Sequence, residues 1–149
     1  MATGDTHQTI YTKLYIASGK PATEDQAGYE ALTWTRVVKP LSIPERGDST
    51  EDVSVNSLDD GRVEHFNGVV DGGVLDVPFV TVEGDAGQAI LLASTGGNTT
   101  YSFKEESPDA TVDTYYFGRI SAPMITEATP NGWEGFTTQI RVNSARVIV

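Results

Sequence analysis

The sequence predicts a mainly β protein, a β-sandwich or open barrel with one flanking α-helix and a long hairpin loop. Three observations carry that reading. Segments rich in β-branched and aromatic residues recur along the chain and stop at Gly, Pro, Asn or Asp. Phe136, Thr138, Ile140 and Val142 alternate with Thr137, Gln139, Arg141 and Asn143, the period-two pattern of a sheet with one wet face. Only residues 85–94 combine helical spacing with end signals. At 149 residues and 38% hydrophobic, the chain fits one domain over 1–149 with a single core. It has no Cys, no run near the ~18 apolar residues of a membrane helix, and no signal-peptide pattern at its start. The expectation is a soluble, unexported protein suited to a reducing cytoplasm, with no membrane partner.

Taken in order, residues 1–9 are polar and aperiodic and read as an N-terminal arm. Ile10 to Ile16 reads as a strand that ends at Ser18-Gly19-Lys20-Pro21. Thr23-Glu24-Asp25-Gln26 has capping-box spacing, and Gly28 limits the helix there to a short turn. Trp34 to Val38 resumes strand character until Pro40 and Pro44, which cannot donate to a ladder. Residues 45–73 are acidic and glycine-bearing, yet Val53, Val55, Ser57 and Val63 alternate around Asp60-Gly61. That pattern predicts a long hairpin with a tight turn there. A bare hairpin of this length is marginal in water, so it is expected to dock onto something.

Val74 to Val82 is apolar in both alternating sets and reads as a strand covered on both faces. The helix comes next, capped near Asp85 and ended by Gly96-Gly97, with Ala86, Ala89, Ile90 and Ala93 as its expected inner face. Thr99 to Glu105, Val112 to Ile120 and Thr137 to Val142 complete the strands, and residues 143–149 form a C-terminal arm.

Charge is unevenly spread. Of a net −11, the stretch from Glu45 to Asp85 holds −9, eleven acids against Arg46 and Arg62. Nothing offers the basic footprint that ordinary nucleic-acid binding needs, and this segment repels phosphate. A solvated acidic loop that keeps the protein soluble is the plain alternative.

Catalytic chemistry is not evident. His7 and His65 stand in no metal-ligand spacing, and Asp59-Asp60-Gly61 lacks the alternating carboxylates of a calcium loop. Gly72-Gly73 and Gly96-Gly97 have no Lys-Ser/Thr sequel for phosphate binding, so no cofactor or metal is expected and the chain reads as a non-enzyme. Two other function classes stay open. Trp34 and Trp133 would let a carbohydrate-binding sandwich stack a sugar ring, although Trp34 reads better as core and Trp133 as a turn residue for a ligand or a neighbouring subunit. A small hydrolase using a carboxylate pair ranks third.

The order of these elements resembles the major tail-tube proteins of long-tailed phages, the lambda-type family. The carrying residues are the strand Tyr11 to Ile16, the excursion around Leu58-Asp59-Asp60, and Gly87-Gln88-Ala89-Ile90-Leu91-Leu92-Ala93. Tyr101-Ser102-Phe103, Thr111-Val112-Asp113, Phe117-Gly118-Arg119-Ile120-Ser121 and Ile140-Arg141-Val142 come after them in the same order. The resemblance covers nearly the whole chain and lacks the appended immunoglobulin-like domain of some relatives. It implies a tail-tube fold that self-assembles into homohexameric rings stacked into a tube, with the long loop reaching the neighbouring ring. It also implies a virion protein assembled in the host cytoplasm, with a tape measure protein and tail terminator or tip proteins as partners. DNA would pass through an acidic lumen without specific binding. On this reading Glu51, Asp52, Asp59, Asp60, Glu64 and Asp71 are candidate lumen or inter-ring acids. Arg141, Arg146 and Trp133 are candidate subunit contacts, with solvated surface as the default for either arginine.

Overall fold

The computed structural model describes residues 11–108 and 112–149; the expected N-terminal arm, 1–9, lies outside them, as does Thr111. The described chain runs β1 (Lys13–Ser18), α1 (Gln26–Glu30), β2 (Thr35–Val37), β3 (Ser49–Asn56), β4 (Val63–Asp71), β5 (Val74–Val80), α2 (Ala86–Leu92), β6 (Thr100–Glu106), β7 (Asp113–Ile120), β8 (Met124–Ile125), β9 (Gly135–Val142) and β10 (Val147–Ile148). One antiparallel sheet is ordered β2-β1-β6-β7-β9-β5, with β10 added to β7 and β8 to β9; β3 and β4 form a separate two-stranded sheet.

The large sheet curls until its edges meet. Directly after β2, the chain crosses to β5, where Leu41 N–H donates to the Pro78 carbonyl (2.8 Å) and Val80 N–H to the Lys39 carbonyl (3.1 Å). Pro40 bridges Phe79 at this seam, an edge position where a missing N–H is tolerated. The resulting open barrel encloses Leu14, Ile16, Phe79, Phe103, Phe136, Ile140 and their neighbours, each contributed by one phase of a period-two strand.

The strand covered on both faces is β7, not Val74 to Val82. Tyr116 and Ile120 point into the barrel, while Tyr115 and Phe117 pack outward with Tyr29, Leu32, Trp34 and Val147. Tyr29 stacks on Tyr115 at 5.2 Å, and Trp34 Nε1 donates to the Tyr29 carbonyl at 3.0 Å. In β5, an edge strand, Leu75, Val77 and Phe79 are buried while Val74 and Asp76 face outward. Apolarity in both phases therefore marks covered surface only where a second layer exists to cover it. The second layer over β7 is α1 and the segment after it, while β10 pairs edge-on with the start of β7, so the 143–149 stretch folds back into the sheet with Val147 opposite Tyr115.

Both helices differ in detail from expectation, α1 in its cap and α2 in its buried face. Asp25, not Thr23, caps α1: its carboxylate accepts from Gly28 N–H (2.8 Å) and from the Thr23 hydroxyl (2.7 Å). Those two donors hold the Asp25 carboxyl below its usual range. In α2, Asp85 is the cap as expected, but the buried face is Gly87, Gln88 and Leu91; Ala86, Ala89 and Ala93 are exposed and Ile90 is half-buried. The reason is Gln88. Its amide accepts from Val82 N–H (2.9 Å) and donates to the Val38 and Val80 carbonyls (both 2.8 Å), satisfying backbone on both sides of the seam. Gly87 allows this approach, since a Cβ there would collide with the Arg36 carbonyl.

Candidate functional site: an acidic hairpin with an anchored root

β3 and β4 pair from Ser49↔Asp71 to Asn56↔Val63, with a register shift between Thr50 and Asp52. The tight turn expected at Asp60-Gly61 is instead a six-residue loop, Ser57 to Arg62, in which Gly61 takes the left-handed φ of +60°. Asp59 N–H donates to the Ser57 hydroxyl within it (3.2 Å). The longer loop places Leu58, wholly exposed, beside Asp59 and Asp60 at the tip.

Every residue of both strands is exposed apart from the half-buried Gly68. Val53 and Phe66 lie directly opposite each other and share a face with Val55, yet Phe66 is 53% exposed. Among the candidate acids, Glu51, Asp52 and Glu64 stand on the strands and Asp59 and Asp60 at the tip. Asp71 closes the root by accepting from Gly73 N–H (2.9 Å). Asp52 also meets the His65 ring at 3.0 Å, an exposed pair.

The root is held much more firmly than the blade. Glu105, only 4% exposed, lies in the inward phase of β6 with Phe103, and Arg46 reaches it at 2.6 and 2.9 Å. Burial raises the Glu105 carboxyl above its usual value, and the charges of Arg46 and then Arg146 oppose that rise. Arg146 is not solvated surface: its side chain is 12% exposed, its guanidinium lies 5.3 Å from the centre of the Tyr116 ring, and it pairs with Asp48 at 3.7 Å. Two ion pairs thus tie residues 46 and 48, just before β3, to the barrel. The groove of about 480 Å³ lined by Tyr11, Thr12, Pro40–Ile43 and Arg46 flanks this root.

Arg141 remains outside and exposed. It stands directly opposite Arg119 across the β7–β9 pairing, with Val74 on its other side. Its Nη2 donates to the Gln139 side-chain Oε1 at 3.3 Å. Trp133 is 46% exposed, its ring lying against Gly135, and the exposed Met124 and Ile125 pair with the adjoining start of β9. Sequence reasoning missed Arg46, Glu105 and Arg119. An acid at a core phase of a strand, as at Glu105, was the available signal, because such a carboxylate needs a cation. Among the described residues no group of three or more His, Cys, Asp or Glu converges on one point.

This architecture recurs over nearly the whole length of chains in solved structures of other proteins. The chain matches one from the cryo-EM structure of the anti-feeding prophage (AFP) baseplate, 6-fold symmetrised, with TM-score 0.67 and 8% identity, covering 100% of this chain and 97% of that one. It matches one from the extracellular contractile injection system PVC sheath/tube terminator in extended state, with TM-score 0.67 and 7% identity over 99% of each chain. A third match, from the anti-feeding prophage cap (AFP tube terminating cap), has TM-score 0.64 and 9% identity, covering 100% and 94%. At these identities the likeness is one of fold. No protein-family model matches the sequence, and no curated protein does.

Proposed function

We propose that the chain is a non-catalytic structural subunit of a phage tail or tail-like particle, assembling with its own copies into rings that stack as a tube. The observation that carries the reading is the hairpin. It is long, acidic, studded with exposed Val, Leu and Phe, and fixed only at its root. Apolar side chains exposed on a two-stranded sheet are marginal in water and are covered when a partner takes them. The fold likeness, over nearly the full length, to chains of an anti-feeding prophage baseplate and of an extracellular contractile injection system's sheath/tube terminator supports the same reading. The proposal therefore covers a tube inside a sheath as well as the sheathless tube of a lambda-type phage. Six copies per ring, a lumen conducting DNA, and contact with tape measure, terminator or tip proteins belong to it.

Physically, a chain of net −11 repels the phosphates of passing DNA, so the polyanion slides without sticking. Glu51, Asp52, Asp59, Asp60, Glu64 and Asp71 supply that charge at the lumen or between rings. The test is electron microscopy and sedimentation of the purified chain beside a variant with residues 49–71 replaced by a short Gly/Ser loop. Hollow filaments from the first and folded, unstacked protein from the second are expected. Folded protein that stays monomeric in both, under all assembly conditions, would overturn the reading.

A further inference from the structure

On the outer face of the large sheet, Val74 of β5, Arg141 of β9 and Arg119 of β7 lie side by side in register, closed at the far side by Thr100 of β6. Adjacent strands are ~4.8 Å apart, so this is a short row of one apolar side chain and two cations. Arg119 and Arg141 are both exposed. Like charges directly opposite on paired strands are unfavourable, and no ion pair among the described residues neutralises either arginine. Arg119 has no hydrogen-bond or ion-pair partner among the described residues. Arg141 touches only the neutral Gln139, whose amide is itself turned to Asp76 at 3.1 Å. In a chain with twenty-one acids, two adjacent unneutralised guanidiniums are the exception.

The complementary arrangement sits at the hairpin tip, where Leu58, Asp59 and Asp60 succeed one another as one apolar side chain and two carboxylates. We propose that the Val74–Arg141–Arg119 row receives the Leu58–Asp59–Asp60 tip of another copy, the two arginines pairing with the two carboxylates. The site rests on the tube reading for its biological setting.

The same copy cannot make this contact. Gly72 and Gly73 join the hairpin root directly to Val74, and the nine residues of β4 carry the tip roughly 30 Å away along the strand. Leu58 is wholly exposed. Each subunit therefore presents the tip at one end and its receptor at the other. Such a head-to-tail contact generates open stacks when its rotation does not close.

The chain has no native Cys, so single cysteines can report the contact without touching the four charges. Leu58→Cys chains and size-tagged Val74→Cys chains, mixed with a short bis-maleimide, should give the mixed dimer well above either like dimer. Arg119→Glu/Arg141→Glu in the Val74→Cys chain should reduce the mixed dimer to the level of like dimers. The neutral pair Arg119→Gln/Arg141→Gln should reduce it too, and Asp59→Arg/Asp60→Arg in the partner should restore it to the Glu variant. Circular dichroism checks that each variant is folded.

A mixed dimer at statistical yield, indifference to the arginine changes, or absence of rescue would overturn the proposal. So would arginine changes that abolish binding of a short DNA duplex while leaving the cross-link intact, since the row would then be a phosphate site. Filaments without the cross-link would sink this contact and leave the tube reading standing. The cross-link without any ring or filament would do the reverse.

Discussion

Replacing Arg46 with Ala should destabilise the isolated domain by about 3 kcal/mol at neutral pH, with the loss fading in acid. Arg46 lies 2.6 and 2.9 Å from the carboxylate oxygens of Glu105, which is 4% exposed. Removing one member of a buried pair costs about 3–5 kcal/mol, because the other charge stays behind without compensation. The lower end applies here, since the Arg46 side chain is one-third exposed and Arg146 still acts on the same carboxylate.

The sign of the pH dependence is set by Glu105. Its folded carboxyl is raised above the usual 4.5 by burial, so the folded chain holds this proton longer than the unfolded one. Stability then falls as pH rises from the usual value through the raised one, and is level above it. Arg46→Ala removes the strongest opposing charge and moves the raised value further up, extending the fall to higher pH. Below the usual value both states are protonated and the two proteins should differ little. Urea unfolding at pH steps from 4 to 8, with Glu105→Gln as background, is the assay. A loss constant at every pH, or undiminished in the Glu105→Gln background, would refute a charge-based anchor.

Gln88→Ala should cost about 3 kcal/mol by urea unfolding, because it leaves Val82 N–H and the Val38 and Val80 carbonyls without their partner at the seam. Leu91→Ala should cost about 2–5 kcal/mol and the half-buried Ile90→Ala clearly less; equal losses would mean the helix is turned otherwise. Asp59→Lys/Asp60→Lys should change the monomer by no more than about 0.5 kcal/mol, as for other exposed sites, while lowering sedimenting assembly.

Where packing obeys one strand's own pattern, the sequence is legible. Phe136, Thr138, Ile140 and Val142 face inward as their alternation requires, and Phe103 and Ile120 obey the same rule. Misreadings arise where a distant element decides. Val74 to Val82 and Asp113 to Ile120 are both rich in apolar residues, but only the second lies under α1 and the Leu32–Trp34 segment after it. For α2, apolarity favours Ala86 and Ala89, whereas unsatisfied carbonyls 8 and 50 residues from Gln88 turn that polar side chain inward. The root pair Arg46–Glu105 spans 59 residues, and no local pattern links its members. Likewise, the row of Arg119 and Arg141 exists only through the β7–β9 register.

The hairpin's composition answers a problem its geometry creates. A two-stranded sheet standing clear of the barrel leaves the outer edges of β3 and β4 unpaired, and such edges invite indiscriminate strand addition. The exposed Val53, Val55, Phe66, Val69 and Val70 add apolar surface to that hazard. Acids at Glu51, Asp52, Asp59, Asp60, Glu64 and Asp71 oppose the approach of a second hairpin carrying the same charges, and the shift near Thr50 interrupts the regular edge. Repulsion of like by like leaves a cationic surface as the favoured destination for the tip. Because two ion pairs fix the root to the barrel, that encounter starts from a defined direction, and less orientational freedom is lost on binding. The charge that keeps free subunits apart thus also selects where the tip can settle.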